Sequence, residues 1–239
     1  MAIWSWLKKQ FSPVPAETVR AANLTFSDYA RATLEGAYNV SDQSALSSEQ
    51  VERTTQYLTS PGSGPAPGAS FATYVVEKLK AHPAKLPDGM HYISFSGIDG
   101  MGMSNYMSAL AYLEDAPGAY GTMCDTPWGM FIEDLRINAD QHPDFLLMVQ
   151  ALEAFMEEQG IAPFHEKYAG ALHDMMWNAG CAEYITNAVA AGGSLLALVE
   201  NAPRDGSFNR FELATLLTLP NGVINGYPVS ALLRSSSGG

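Results

Sequence analysis

Apolar residues recur at a helical period over much of the chain, most clearly between residues 172 and 193. In this stretch a first apolar set follows steps of three and four residues, namely Leu172, Met175, Met176 and Ala179. After Gly180 a second set resumes the period at a shifted phase, namely Cys181, Ala182, Ile185, Ala188 and Val189. Because the phase changes at a glycine, the pattern predicts two buried helices that meet at residues 177–180.

The same period predicts further helices, and one segment is typical of a strand. The predicted helices cover residues 71–79, 106–113, 130–137, 143–159, 168–178, 182–191, 195–200 and 211–219. Residues 47–50 are typical of a helix start, with Ser47 and Gln50 in capping-box positions. His91–Phe95 is the best strand candidate. The predicted fold class is mainly α, a helical bundle with a small irregular or β-containing lobe.

The clearest boundary in the sequence is the stretch SPGSGPAPGAS, because its prolines and glycines disfavour regular structure and its small side chains bury little surface. We therefore divide the chain into four predicted parts. These are a helical N-terminal adaptor or docking region over residues 1–60, a linker or loop over 61–70, a helical domain over 71–234, and a disordered tail over 235–239.

The net charge of the chain disfavours several classes of binding partner. The 239 residues carry a net charge of −12, with only 13 Lys and Arg, so the chain lacks the clustered cations that nucleic acids and anionic membranes require. No stretch is long and apolar enough to predict an integral membrane segment. The N-terminus does not have the pattern of a signal peptide. We expect a protein synthesised in soluble form, and export would then need a specialised route.

Glu114 is the first candidate for acid chemistry. It closes an apolar helix and is followed at once by a turn, which predicts a partly buried carboxyl with a raised pKa. Such a group can protonate the leaving oxygen in glycoside hydrolysis. Asp125, beside an aromatic residue (Trp128) able to stack on a sugar, and Asp99, in an earlier glycine turn, compete for the role of second carboxylate.

Two segments resemble a known family. The string Met175-Met176-Trp177-Asn178-Ala179-Gly180-Cys181 looks like the late helix of lysozyme-superfamily proteins. Glu114, followed by Ala119-Tyr120-Gly121-Thr122 and then Gly129-Met130-Phe131, resembles the chitosanase-like lysozyme domains found at the ends of phage and type VI secretion spike proteins. The resemblance spans roughly residues 110–196.

This resemblance implies a lysozyme-like fold and a glycoside hydrolase acting on peptidoglycan or a related amino-sugar polymer. Glu114 would be the catalytic acid, Tyr120 and Thr122 would shape the floor of the cleft, and Trp177 and Asn178 would support the far lobe. The corresponding biological expectation is an antibacterial effector that needs no cofactor, is exported by a specialised secretion system to the target periplasm, and meets a secretion-apparatus or immunity protein.

Residues 201–212 match the twelve-position spacing of a calcium-binding loop. The oxygen-bearing positions of this match are Asn201, Asp205, Ser207, Asn209 and Glu212. Pro203 occupies the third position, where an oxygen ligand is expected. The segment therefore predicts either a turn between helices or a weak calcium site.

Two other functions stay open. A cysteine-dependent wall amidase would use Cys124 as a thiolate with one of four histidines, namely His91, His142, His165 or His173. A catalytically silent adaptor or effector would instead bind a protein partner through the acidic surface and an N-terminal aromatic stripe, namely Trp4, Trp6, Leu7 and Phe11.

Overall fold

The computed structural model describes residues 24–37, 46–97, 103–161, 165–192, 195–203, 206–219 and 221–229, with the backbone alone for 36–37 and 165–168. The described chain is mainly helical and carries a small mixed sheet, which confirms the coarse fold class. The predicted aromatic stripe, Asp99, Asp205 and the C-terminal tail lie outside the described residues. In the described residues no helix is both long and apolar enough to cross a membrane.

The elements follow one another in a simple order. The helices are α1 Phe26–Ala37, α2 Ser48–Thr59, α3 Phe71–Ala81, α4 Asn105–Asp115, α5 Pro127–Ile137, α6 Pro143–Glu158, α7 His165–Ala190 and α8 Leu213–Thr218. The strands are β1 His91–Phe95, β2 Tyr120–Gly121, β3 Leu195–Leu198, β4 Val223–Ile224 and β5 Tyr227–Pro228. Short 3₁₀ turns cover Met123–Asp125 and Ala139–Gln141, and a π-helix covers Phe208–Glu212.

Contacts divide the chain into two compact units, and the boundaries of these units differ from those of the predicted domains. The helical unit contains Leu24–Pro83 and Pro127–Gly180. The described part of the sheet unit lies within Ala84–Thr126 and Cys181–Gly239. Residues 24–59 therefore belong to a packed unit. Leu34 of α1 and Leu58 of α2 are each 1% exposed, so these helices supply core surface to that unit.

The helical unit is held together by apolar packing and a few buried polar contacts. The rings of Tyr57 and Phe155 stack at 4.2 Å, and Asn178 Nδ2 donates to Thr33 Oγ1 over 3.1 Å. Helix α2 begins with the predicted capping box, in which Ser47 Oγ accepts from Gln50 N and Gln50 Oε1 accepts from Ser47 N.

The Pro- and Gly-rich stretch forms a hydrogen-bonded loop inside the helical unit. Gly62 N and Gly64 N both donate to Ala69 O, over 2.8 and 3.1 Å. Ser63 is 2% exposed, and its hydroxyl accepts from Phe71 N over 3.0 Å at the start of α3. Internal hydrogen bonds thus replace regular secondary structure here, and the stretch joins α2 to α3.

The sheet has the strand order β2-β1-β3-β4-β5. Strands β2, β1, β3 and β4 run parallel to one another, and β5 is antiparallel to β4. Tyr184 of α7 ties two strands together, because its hydroxyl lies 3.1 Å from Ile93 O and 2.9 Å from Gly121 O. The prediction of a strand at residues 91–95 is correct, but residues 195–198 form β3 and not the predicted helix.

Helix α7 is continuous, so the predicted joint at residues 177–180 is wrong. Gly180 does not end a helix: it is buried within α7, in close contact with Trp128. The phase shift in the sequence marks the point where α7 passes from the helical unit, which includes Gly180, to the sheet unit, which begins again at Cys181. Each part of the helix therefore buries a different face.

Candidate functional site

The carboxyl ends of the parallel strands form the best-defined polar edge of the sheet unit. Beyond β1, Ser96 N donates to Leu198 O of β3 over 3.0 Å. Helix α4 returns to this edge, because Asn105 N donates to Gly97 O over 3.1 Å. In open parallel sheets ligands bind outside the carboxyl ends of the strands. This edge is therefore the candidate ligand-binding site.

Asn105 fixes the start of α4 against two strand ends. Its side chain is buried, and Nδ2 donates to Ser96 O over 2.7 Å and to Glu200 O over 2.9 Å. One amide group thus satisfies a carbonyl after β1 and another after β3. The first turn of α4 is held at the carboxyl edge by these bonds.

Gly97 allows the chain to leave β1 in the required direction. Its φ of +82° lies in the left-handed region, which disfavours side chains. A Cβ atom at this position would also approach Asn201 C and O and Ala202 N to 2.7 Å. Only glycine satisfies both conditions, so Gly97 itself packs tightly against Asn201 and Ala202, in the segment after β3.

The spacing of small residues between β1 and α4 matches a phosphate-binding loop. The sequence after the strand runs Gly97-Ile98-Asp99-Gly100-Met101-Gly102-Met103-Ser104, and α4 follows at once. A strand, the pattern G-x-x-x-x-G-K-[ST] and a helix form the motif that cradles nucleotide phosphates. Met103 stands at the lysine position. Residues 98–102 lie outside the described part of the chain.

The start of α4 has the features of an anion-binding helix terminus. Ser104 is the N-cap, and its hydroxyl accepts from Tyr106 N over 3.3 Å. The first turn contains no acidic side chain, so the positive end of the helix dipole is not neutralised there. Met103, Tyr106 and Met107 are 48%, 41% and 49% exposed, which places apolar surface beside this terminus.

Of the three predicted carboxylates, the structure describes Glu114 and Asp125, and both are exposed. Glu114 is exposed near the end of α4, so the prediction of a partly buried acid is wrong. Asp125 is also exposed, and its Oδ2 accepts from Thr122 N over 2.7 Å and from Thr122 Oγ1 over 2.8 Å. Asp99 lies outside the described residues. Asp125 therefore closes a turn after β2.

The predicted sugar-binding residues fall into both units. In the sheet unit Thr122 is buried, while Tyr120 is half-buried and contacts the rings of His91 and Tyr112 at 5.4 and 5.6 Å. In the helical unit Trp128 is fully buried, so the prediction that it stacks on a sugar is wrong.

The other two residues of the predicted far lobe lie in the middle of α7. Trp177 is half-buried there. Asn178 is buried, and its amide bonds to Thr33. Both side chains therefore belong to the packing of the helical unit.

Four of the five predicted calcium ligands lie within the described residues. Asn201 has a φ of +52°, and Asn209 Nδ2 donates to Pro203 O over 2.8 Å. Ser207 is the cap of the π-helix. Glu212 is 8% exposed and lies near Ser94 and Cys181. The calcium site stays a prediction. The described residues contain no cluster of three or more His, Cys, Asp or Glu suited to a metal.

Glu212 is the most strongly buried carboxyl in the described chain for which a pKa shift is resolved. Burial raises its pKa, and the nearby polar side chains of Ser94 and Cys181 oppose that rise. Its Oε2 atom has no hydrogen-bond partner within the described residues. In the sequence, the apolar residues near Glu212 indicate that its side chain faces inward. These residues are Phe208, Phe211 and Leu213.

The two cysteines form no disulfide in the described chain, and their surroundings differ. Cys124 is exposed in the turn after β2, whereas Cys181 is buried in α7, and burial raises the pKa of the Cys181 thiol. His142 pairs with Asp134 at 2.8 Å in the helical unit, which also contains His173. A cysteine amidase stays a prediction.

No family model, curated protein or solved structure matches this chain.

Proposed function

We propose that this protein binds a phosphate-bearing nucleotide at the carboxyl edge of its parallel sheet. The observation that supports this proposal is that strand β1 and helix α4 flank a stretch of the sequence, residues 97–104, with the glycine spacing of a phosphate-binding loop. In such an arrangement backbone N–H groups and the helix dipole face the phosphate. Asn105 and Gly97 supply the described contacts that hold the loop's two ends at this edge.

A nucleotide fits this edge better than inorganic phosphate does. The exposed ring of Tyr106 contacts Phe95 at 5.1 Å, at the end of β1. Aromatic and methionine side chains offer a surface on which a base can stack. The edge therefore combines a site for a phosphate with apolar surface for a ring.

The site is suited to binding and poorly suited to phosphoryl transfer. The lysine of phosphate-binding loops reaches the outer phosphates, where charge develops during transfer. Met103 supplies an uncharged thioether at that position. We therefore expect ligand binding without rapid hydrolysis.

Ser104→Asp gives a direct test. Aspartate also caps helices well, so the helix start is retained, but its charge repels a phosphate. We expect isothermal titration with nucleoside phosphates to show binding by the wild type and a loss of about tenfold or more in Ser104→Asp. Ser47→Asp adds the same charge at the N-cap of α2 and is the matched control. Absence of binding by the wild type would contradict the proposal.

A glycosidase acting on peptidoglycan is the second candidate, with the lysozyme-like fold that the resemblance implies. One observation favours a carbohydrate: Tyr112 is 40% exposed and adjoins the ring of Tyr120, near the end of α4 that carries Glu114. Exposed aromatic rings of this kind can stack on sugars. Glu114 is exposed, whereas its predicted role as the catalytic acid depends on partial burial.

Purified peptidoglycan tests this candidate. If Glu114 is the acid, Glu114→Gln abolishes release of sugar fragments measured by mass spectrometry, and Asp115→Asn, the neighbouring exposed carboxylate, does not. Fragments that persist in Glu114→Gln would remove this residue from the mechanism.

A further inference from the structure

The two cysteines of the chain lie next to the points where it crosses between its two units. Cys124 stands just before Thr126, the last residue of the first segment of the sheet unit. Cys181 is the residue with which the chain returns to that unit, after the helical segment Pro127–Gly180. Both thiols therefore belong to the sheet unit, although they are far apart in the sequence.

Two contacts hold the segment around Cys124 along one turn of α7. Three residues before it, the carbonyl oxygen of Gly121 lies 2.9 Å from Tyr184 Oη. Four residues after it, Trp128 packs directly against Gly180. Since these two positions of α7 stand on either side of the second cysteine, the chain between the two contacts passes beside that cysteine.

The electrostatics agree with this arrangement. Burial is the main cause that raises the pKa of the Cys181 thiol, the charge of Glu212 follows, and the charge of Cys124 adds to both. The Coulomb interaction falls with distance and is screened by water, so a charge at position 124 has this effect only when the two sulfur atoms are near neighbours.

Their surroundings give the two thiols different chemical roles. Cys124 is exposed, so a small oxidant dissolved in water reaches its sulfur. Cys181 is 0% exposed, and burial favours its protonated form, so it does not meet the oxidant directly. Oxidation can therefore reach Cys181 only through a sulfur that has already reacted at position 124.

We propose that Cys124 and Cys181 form a peroxide-responsive thiol pair, in which Cys124 is oxidised first and Cys181 then closes a disulfide with it. The Cys124 thiolate attacks one oxygen of hydrogen peroxide and the O–O bond breaks. Cys124 becomes a sulfenic acid, and the released hydroxide takes up the proton that the thiol had lost, which gives water. The Cys181 sulfur attacks the Cys124 sulfur, the S–O bond breaks, and the hydroxyl leaves with the Cys181 proton as a second water.

The disulfide would join the point where the chain leaves the sheet unit to the point where it returns. It would connect the turn after β2 to α7 covalently, next to the contact between Gly121 and Tyr184, and so oppose opening of the sheet unit. A dithiol reductant reverses the reaction by thiol–disulfide exchange. The thiol pair is independent of the nucleotide site proposed above.

The experiment treats the reduced full-length protein with hydrogen peroxide, followed by intact mass spectrometry and peptide mapping without reduction. We expect a monomeric product that is lighter by two hydrogen atoms, in which the peptides of Cys124 and Cys181 are linked, and which dithiothreitol returns to the starting mass. Dimedone, which traps sulfenic acids, should label Cys124 in Cys181→Ser and not in the wild type. Cys124→Ser should leave Cys181 reduced at the same dose of peroxide.

The outcomes test the pairing and the order of reaction separately. Wild-type protein that reaches the sulfinic acid at Cys124, or that forms links only between two copies, overturns the pair. A disulfide that forms no faster in native protein than in urea also overturns it, because the fold would then contribute nothing. Oxidation of Cys181 in native Cys124→Ser overturns the order. If circular dichroism shows that Cys181→Ser is misfolded, Cys181→Ala replaces it, and the wild-type peptide map decides the pairing without either variant.

Discussion

Trp128 and Gly180 pack so closely that no side-chain carbon fits between them. A Cβ atom at residue 180 would lie 2.0 Å from Trp128 Nε1 and 2.1 Å from Cδ1. Trp128 is fully buried, so its ring has little room to move away. Gly180 is thus required for close approach of an indole to α7, and not for a turn.

Gly180→Ala should destabilise the protein, since overpacking a core costs about 1–3 kcal/mol. The measurement is the free energy of unfolding in urea. Gly170→Ala, in the same helix, is the matched control because its Cβ would meet nothing within 4 Å. We expect this control to gain about 0.4–1 kcal/mol. Equal effects of the two substitutions would contradict the packing role of Gly180.

Glu212 should make stability fall as pH rises. Burial raises its pKa above the ordinary 4.5, so above that pH the unfolded chain releases a proton that the folded chain still holds. The contribution of Glu212 to the free energy of unfolding is fully present below pH 4.5. As the pH rises from 4.5 to the folded-state pKa, this contribution falls by about 1.4 kcal/mol per pH unit. The neighbours that adjust the pKa of Glu212 are Ser94 of β1 and Cys181 of α7.

Glu212→Gln removes this titration and should be more stable than the wild type at pH 8, with the difference shrinking at pH 4. Urea unfolding between pH 4 and pH 8 measures this difference in the free energy of unfolding. Glu157→Gln removes an exposed carboxyl and serves as the control. Parallel pH curves for wild type and Glu212→Gln would show that Glu212 is not held protonated.

Asn105→Ala should loosen the carboxyl edge of the sheet. It removes two donors and leaves Ser96 O and Glu200 O without those partners, at a cost of about 2–3 kcal/mol. Asn187→Ala removes the hydrogen bond to Ala84 O and a contact with Glu183 at a half-buried position, and should cost about 1 kcal/mol. Urea unfolding compares the two variants, and a smaller loss for Asn105→Ala would contradict its role as a clamp.

The two thiols should react at very different rates. Cys124 is exposed, whereas Cys181 is buried and its thiol pKa is raised by burial and then by the charge of Glu212. Since the thiolate is the reactive form, a thiol-alkylating reagent should label Cys124 in native protein and Cys181 only after unfolding. Mass spectrometry locates the label. Rapid native labelling at Cys181 would contradict its burial.

The sequence predicted local structure well where one side of an element is buried. The strand at residues 91–95 and the capping box of Ser47 and Gln50 follow directly from alternation and from cap chemistry. The apolar residues 195–198 predict a helix, and this prediction is wrong because a short apolar run does not distinguish a buried parallel strand from a buried helix turn.

The candidate site was harder to find than the elements beside it. The glycine spacing from Gly97 to Gly102 predicts only a turn, since Met103 replaces the lysine that makes the phosphate-binding pattern recognisable. The contacts of Asn105 join residues 96, 105 and 200, which no local pattern brings together. Exposure of Glu114 depends on the packing of α4 and could not be read from its position beside a turn.

The loop between α2 and α3 also determines where foreign sequence can be introduced. Ser63 anchors its inner side to Leu58 O and Phe71 N, while Pro67 and Gly68 form an exposed tip and a Cβ at Gly68 would meet nothing within 4 Å. An epitope tag or fluorescent label placed at this tip would leave the anchoring bonds intact, whereas an insertion at Ser63 would separate α2 from α3.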